Sequence, residues 1–338
     1  MTTSIRCALR SFCAFAVVVL IAACSASATD SQYHADARAP VEGEARFYHF
    51  DVGQADATLV WGPDGTILID AGHWQENDVV PYLQELGVTE IDLFILTHPH
   101  ADHIGQVSHV LREFEVTEVW MTGWEHETQT FERTLDAVHT SRAGYREPRA
   151  GETQALGELV VEVLNPSEPL EDIHDNLAVR VRFGDFAAVY TGDAEVEHEL
   201  MMIDRHDEIR AQVLQLGHHG SRTSSSREFL TAVDPEVAIY SAAQDSQYNH
   251  PHDTVIARIN ALNIPVYGTA GSGTITVTTD GTDFELAEQR DGAAQRAARA
   301  AAIESRGDDG AESRGDEGGE HSKKPSSIDC EEGLACIR

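Results

Sequence analysis

The sequence predicts an α/β fold: two packed sheets with helices outside. Three observations point there. The first third of the chain is rich in short apolar runs separated by Gly and Pro turns. The remainder alternates strand-length apolar runs with helix-length amphipathic ones. Four of the apolar runs end directly in clusters of His, Asp and Gly, where layered α/β proteins commonly place chemistry.

Taken in order, Arg46 to Val52 and Asp56 to Trp61 read as strands joined by the Gly53-Gln54-Ala55 turn, and Thr66 to Asp70 as a third. Asp78 to Leu86 is a helix stopped by Gly87. Ile91 to Leu96 is an apolar, β-branched strand, and His103 to Phe114 a helix. Val116 to Met121 is a strand. Thr128 to Ala143 is a helix with Phe131, Leu135 and Val138 on one core-facing stripe. Glu158 to Leu164 alternates as a strand; Leu177 to Phe183 and Phe186 to Thr191 form a hairpin at Gly184-Asp185. Glu195 to Arg205, Arg227 to Ala232 and Asp253 to Leu262 read as helices. Val213 to Leu216, Glu236 to Tyr240, Pro265 to Thr269, Gly273 to Thr279 and Asp283 to Ala287 read as strands.

The ends differ from this core. Residues 1–24 combine Arg6 and Arg10 with the apolar run Phe12 to Ala23, the pattern of a secretory signal. Ile21-Ala22-Ala23-Cys24 is a lipobox-like end, with Cys24 as the expected lipid anchor. Residues 25–44 form a polar tether, 45–290 the folded domain, and 291–338 an acidic tail expected to be disordered. The predicted location is a bacterial membrane surface, facing the periplasm or the outside. Between residues 25 and 329 there is no Cys, which excludes a thiolate nucleophile and a Cys-ligated zinc site there. Cys330 and Cys336 could close a small loop in an oxidising compartment. The net charge of −33 disfavours long nucleic acid as a partner, because phosphate binding relies on Lys and Arg.

Chemistry concentrates at the strand ends. LTHPHADHIG, Leu96 to Gly105, packs His98, His100, Asp102 and His103 into six residues. All four are ligands for a borderline divalent metal, and a loop lets side chains two apart converge on one ion while the adjacent pair faces another. Tyr190 runs into Thr191-Gly192-Asp193-Ala194-Glu195, Leu216 into Gly217-His218-His219-Gly220-Ser221, and Tyr240 is followed by Asn249-His250-Pro251-His252. Singly, Asp193 reads equally well as a helix N-cap. The His218 and His219 pair can be a turn with one structural His, and His250 an ordinary surface residue. In one layered sheet all these strand ends can share an edge.

Together, these motifs resemble the metallo-β-lactamase fold, and within it the stand-alone hydrolases similar to the C-terminal domain of ComEC-type competence proteins. The resemblance spans Arg46 to about Leu286, through FDVGQAD, TILIDAG, LTHPHADHIG, YTGDAE, GHHGS and His250-Pro251. It implies a four-layer αββα sandwich with a metal site at one sheet edge. It also implies two divalent ions, zinc or manganese. His98 and His100 would bind one, Asp102 and His103 the other; Asp193 would bridge and His219 complete the second site. Asp102 or Asp193 would handle the proton, and His218 and His250 would face substrate. Which of His218 and His219 binds metal stays open, as does a contribution from His174 or Asn176. Asp51 and Asp70 are expected to orient the loop. Ala55 stands where the family usually has Gly, which is tolerable unless the turn needs a positive φ.

The implied activity is hydrolysis by a hydroxide shared between two metals, most directly of phosphodiesters. Lactones, β-lactams and other esters are the alternative substrates, and a non-catalytic metal- or partner-binding surface protein is the second alternative.

Overall fold

In the computed structural model, the described residues are 39–292 except 168 and 171, together with 296 and 297. The signal-like segment, Cys24, most of the tether, most of the acidic tail, Cys330 and Cys336 lie outside them. Among the described residues, no helix is long and apolar enough to cross a membrane.

The first sheet holds β1 (Ala45–His49), β2 (Thr58–Trp61), β3 (Thr66–Ile69), β4 (Glu90–Ile95), β5 (Glu115–Trp120) and β6 (Gly144–Arg146). The second holds β7 (Thr153–Leu156), β8 (Leu159–Asn165), β9 (Ala178–Phe183), β10 (Phe186–Tyr190), β11 (Val213–Gln215), β12 (Val237–Tyr240) and β13 (Val266–Gly268). The chain then returns to the first sheet as β14 (Ile275–Thr279) and β15 (Phe284–Glu288). Strand order is β15-β14-β1-β2-β3-β4-β5-β6 in the first sheet and β13-β12-β11-β10-β9-β8-β7 in the second. The helices are α1 (Val79–Leu86), α2 (Val107–Glu113), α3 (Gln129–Thr140), α4 (Val196–Arg205), α5 (Arg227–Val233), α6 (Asp253–Asn260) and the single turn α7 (Thr269–Ser272). The expected two sheets flanked by helices are present.

Alternation along the strands explains the layering. In β4, Leu93 and Ile95 join Phe47, Ile67 and Trp120 from their own sheet and Val179, Val213 and Ile239 from the other in one inter-sheet core. Phe94 points the other way and is equally buried. A strand covered on both faces reads as a continuous apolar run, which is why IDLFIL was legible. On the outer face of the second sheet, Val189, Leu214 and Ala238 meet Met202, Phe229, Leu230 and Ile256 of α4, α5 and α6 in a second core.

Several element boundaries differ from expectation. β1 ends at His49 and β2 begins only at Thr58, leaving residues 50–57 as loop. Residues 103–106 are turns, so α2 starts at Val107. α3 stops at Thr140, and its stripe runs through Phe131, Thr134 and Val138 while Leu135 is exposed. β6 and β7 were not foreseen; GYR and TQAL are short edge segments without an apolar period.

One edge collects the chemistry for a topological reason. β3, β4 and β5 are parallel neighbours, so Asp70, the 97–103 loop and His126 all follow strand ends on the same side. β2 runs antiparallel to β3, so Asp56, just before its start, lies at that edge too. In the second sheet β10, β11 and β12 are parallel and lead to Asp193, His218 with His219, and His250. Antiparallel β9 begins where β10 ends, with Val179 opposite Tyr190, and this brings in His174 and Asn176.

Candidate metal centre

The first sheet's contribution is built around Asp70. At the end of β3 it adopts a left-handed conformation, φ 58°. Its Oδ1 accepts from Thr97 N and its Oδ2 from Thr97 Oγ1, both at 2.8 Å. The same Oδ2 accepts from His103 Nδ1 at 2.8 Å. A carboxylate only accepts here, so His103 Nδ1 is the donor and Nε2 is left for a cation. His219 is fixed the same way, its Nδ1 donating to the Ser241 carbonyl at 3.0 Å.

Asp193 is the shared carboxylate. Its Oδ1 lies 3.2 Å from His103 Nε2 and 3.9 Å from His219 Nε2. Its Oδ2 lies 3.6 Å from His98 Nε2 and 3.5 Å from His218 Nε2. Asp193 does not cap α4; the N-cap is Glu195. Its backbone N donates instead to Asn176 Oδ1 at 2.8 Å, so Asn176 positions Asp193. The preceding Gly192 has φ 53°, and a Cβ there would stand 2.5 Å from Asn176 Oδ1 and 2.7 Å from Thr97 Oγ1. The turn needs glycine both for its backbone angle and for space.

Two ligand groups result. Asp56, His103, Asp193 and His219, all buried, each offer one donor atom within 4.8 Å of the others'. His98, His100 and Asp193 form a second group. Two ligands about 2.1 Å from one ion at tetrahedral angles stand about 3.4 Å apart, which matches this spacing. The fit is sharper still at atom level. Asp56 Oδ1, His103 Nε2, Asp193 Oδ1 and His219 Nε2 are all buried with no hydrogen-bond partner among the described residues. One unpaired buried polar atom is costly; four, one from each member of a single group, fit a divalent cation.

Asp102 lies beside this set, its Oδ2 3.3 Å from His219 Nε2, and its side chain is 27% exposed. Asp56 is the carboxylate sequence reading left out, although it closes the quoted FDVGQAD motif. Ala55 lies outside the left-handed region, so its methyl costs nothing there. Asp51 does not reach the loop. It pairs with Arg290 at 2.7 Å and its carbonyl accepts from Tyr82 Oη, tying the end of the first sheet instead.

Electrostatics follow the geometry. Burial would raise the Asp193 pKa, but His103, His98 and His219 around it hold it well below the usual carboxylate range. Burial would lower His103, but Asp193 and Asp70 hold it well above the ordinary imidazole value. His219 is likewise carried to about 9 against burial by Asp56 and Asp193. Burial lifts Asp56 to about 6, with His219 and His103 pulling the other way. Burial also lowers His98, with His103 adding to it. A cation bound to His103 and His219 would have protons to displace.

Around the rim runs a band of half-buried imidazoles. Ring centroids are 5.7 Å apart for His126 and His100, 6.1 Å for His100 and His174, and 6.3 Å for His174 and His218. The band continues at 5.6 Å to His250 and 5.0 Å to His252. His218 and His219 both sit in left-handed conformations, φ 51° and 55°. For residues with a Cβ this costs ~1–2 kcal/mol each and marks backbone strain of the kind found at functional sites. It also separates the pair, with His219 buried at the donor group and His218 at the rim. His250 Nδ1 is 3.2 Å from Gln54 Nε2, and burial with neighbouring His219 and His218 pushes its pKa down to about 4.

The family model of the metallo-beta-lactamase superfamily matches residues 50–244. The chain belongs to the metallo-β-lactamase superfamily. The chain is 30% identical over 256 residues to ComE operon protein 3 of Bacillus subtilis, covering 69% of this chain and 33% of the relative. Over 253 residues it is 30% identical to Recombination protein 2 of Haemophilus influenzae, covering 71% and 29%. This metallo-β-lactamase chain therefore spans about a third of the length of these curated relatives. The solved structure of YhfI, a metallo-beta-lactamase fold protein from Bacillus subtilis, aligns with a TM-score of 0.45 at 12% identity, covering 72% of this chain and 99% of that one. The superfamily fold and the His/Asp cluster agree: this is a ComEC-like hydrolase domain with a cluster suited to divalent metals.

Proposed function

We propose that the protein is an exported, metal-dependent phosphodiesterase carrying two divalent cations, zinc or manganese. The observation that supports a phosphodiester over a neutral ester is the imidazole band. Besides His100, which would hold a cation, five histidines line one rim of a chain whose net charge is −33. Imidazole N–H groups suit phosphoryl oxygens, and a short anionic substrate avoids the repulsion a long polyanion meets.

His98 and His100 would hold one cation, His103 and His219 the other with Asp56 or Asp102, and Asp193 would serve both. Bound there, divalent cations supply a lowered water pKa and charge stabilisation at the phosphoryl group. His218 and His250 donate N–H bonds to the developing negative oxygens. Asp102, the more open carboxylate, takes the proton from attacking water. Asp70 and Ser241 keep His103 and His219 in the tautomers that this work requires.

The full chain with zinc or manganese is expected to hydrolyse bis-p-nitrophenyl phosphate, with activity lost in EDTA and long duplex DNA cleaved far more slowly. Turnover of a lactone or nitrocefin without phosphodiesterase activity overturns the substrate assignment. We further propose anchoring through a lipid on Cys24; Cys24→Ala should move the protein out of the membrane fraction, and unchanged partition contradicts it.

A further inference from the structure

A third group of ligand-type side chains shares no residue with the two above. Asp172 and Asp175 lie on the loop before β9, and His198 lies in the first turn of α4. Each offers a donor atom within 4.8 Å of the others'. His198 Nε2 is 3.8 Å from Asp172 Oδ1 and 3.6 Å from Asp175 Oδ1. These distances are too long for hydrogen bonds, and a protonated imidazole would draw a carboxylate to about 2.8 Å. They match instead the roughly 3.4 Å between ligands that share one tetrahedral ion.

The imidazole itself points to a ligand. His198 is only 2% exposed, and its Nε2 is aimed between the two carboxylates with no hydrogen bond to hold it among the described residues. A buried ring in that state is unfavourable unless something bonds it. The positive end of α4 would repel a cation weakly, and two carboxylates more than offset that.

We propose that Asp172, Asp175 and His198 form a separate mononuclear site for a borderline divalent ion such as Zn²⁺ or Mn²⁺. Two carboxylates and one imidazole are the donor set such ions take, with water completing the shell. The ion joins α4 to the loop that continues into His174 and Asn176. Asn176 Nδ2 donates to the His174 carbonyl at 2.8 Å while its Oδ1 holds Asp193 N, so this site braces the neighbouring centre from outside.

The test uses the full chain carrying His98→Ala, His103→Ala, Asp193→Ala and His219→Ala, which removes the shared carboxylate and three of the imidazoles of the paired centre. That background is titrated with zinc chloride and manganese chloride, reading bound metal after desalting and the shift in melting temperature. One equivalent should remain bound and raise the melting temperature. Adding Asp172→Asn, at a side chain 44% exposed, should weaken binding at least tenfold without disturbing the fold. Adding His198→Gln should abolish both the bound equivalent and the shift. Absence of bound metal in the background, or an equivalent unchanged by Asp172→Asn and His198→Gln, overturns the proposal. Phosphodiesterase activity does not enter the readout, so failure of the substrate assignment leaves this result intact.

Discussion

The two sheets furnish the centre by different means. The first supplies His98, His100 and His103 from one loop, held by side-chain hydrogen bonds that converge on Asp70. The second supplies one short element per strand end, and backbone conformation fixes each: a glycine turn before Asp193, two left-handed residues at His218 and His219. The halves meet where Gly192 passes between Thr97 and Asn176, and where Leu177 N donates to the Thr97 carbonyl at 2.8 Å. One half is organised by polar side chains gathered on Asp70. The other is organised by left-handed turns at Gly192, His218 and His219, the first of which has room only for glycine.

The largest expected effect comes from removing what both halves share. Asp193→Ala should lower phosphodiesterase activity roughly 10³-fold and reduce bound metal in both groups. Activity within a few-fold of wild type would mean that the halves work without it. Gly192→Ala attacks the second half's backbone. A left-handed alanine crowded against Asn176 and Thr97 should cost roughly 2–4 kcal/mol in chemical denaturation. A loss below about 0.5 kcal/mol would show that the seam yields.

His49 joins the halves within the core, where its Nδ1 donates to Gln215 Oε1 at 3.0 Å, which also accepts from Thr58. Burial pushes the His49 pKa down to about 4. The unfolded chain therefore binds this proton below about pH 6.5 and the folded one only near pH 4. Stability is full above pH 6.5 and falls as pH drops towards 4, by up to about 3 kcal/mol from this residue. His49→Leu should flatten the pH dependence of the unfolding free energy by that amount; an unchanged slope contradicts the assignment. The smallest effect is expected from the first half's hydrogen-bond hub. Asp70→Asn should weaken zinc binding roughly 10–100-fold while leaving the fold intact, measured by competition with a chelator.

The same contrast decided what could be read in advance. His98 to His103 are contiguous, so their spacing announced a metal site, and the apolar strand before them announced its place. The second half's motifs were visible only as separate strand ends, and the parallel order of β10, β11 and β12 joins them. Asp56 opens an apolar run and so reads as the first residue of a strand, whereas Thr58 starts β2 and the residue sits in the loop beside Asp102. The same motif places Asp51 near the loop, but its carboxylate turns to Arg290. His126 carried no local signal; only the parallel pairing of β5 with β4 brings its loop to the edge. Leu135 looked like core by spacing alone, and Thr134 takes its place because that residue faces α2 and donates to the carbonyls of Ile104 and Thr130.

The central claim is that four unpaired donor atoms at the seam form a divalent cation site. Anomalous diffraction from crystals of the full chain grown with zinc tests it most directly. The expected peak lies about 2.0–2.2 Å from His103 Nε2, His219 Nε2, Asp193 Oδ1 and Asp56 Oδ1. Zinc found only elsewhere, with those atoms bonded to ordered water, would contradict it.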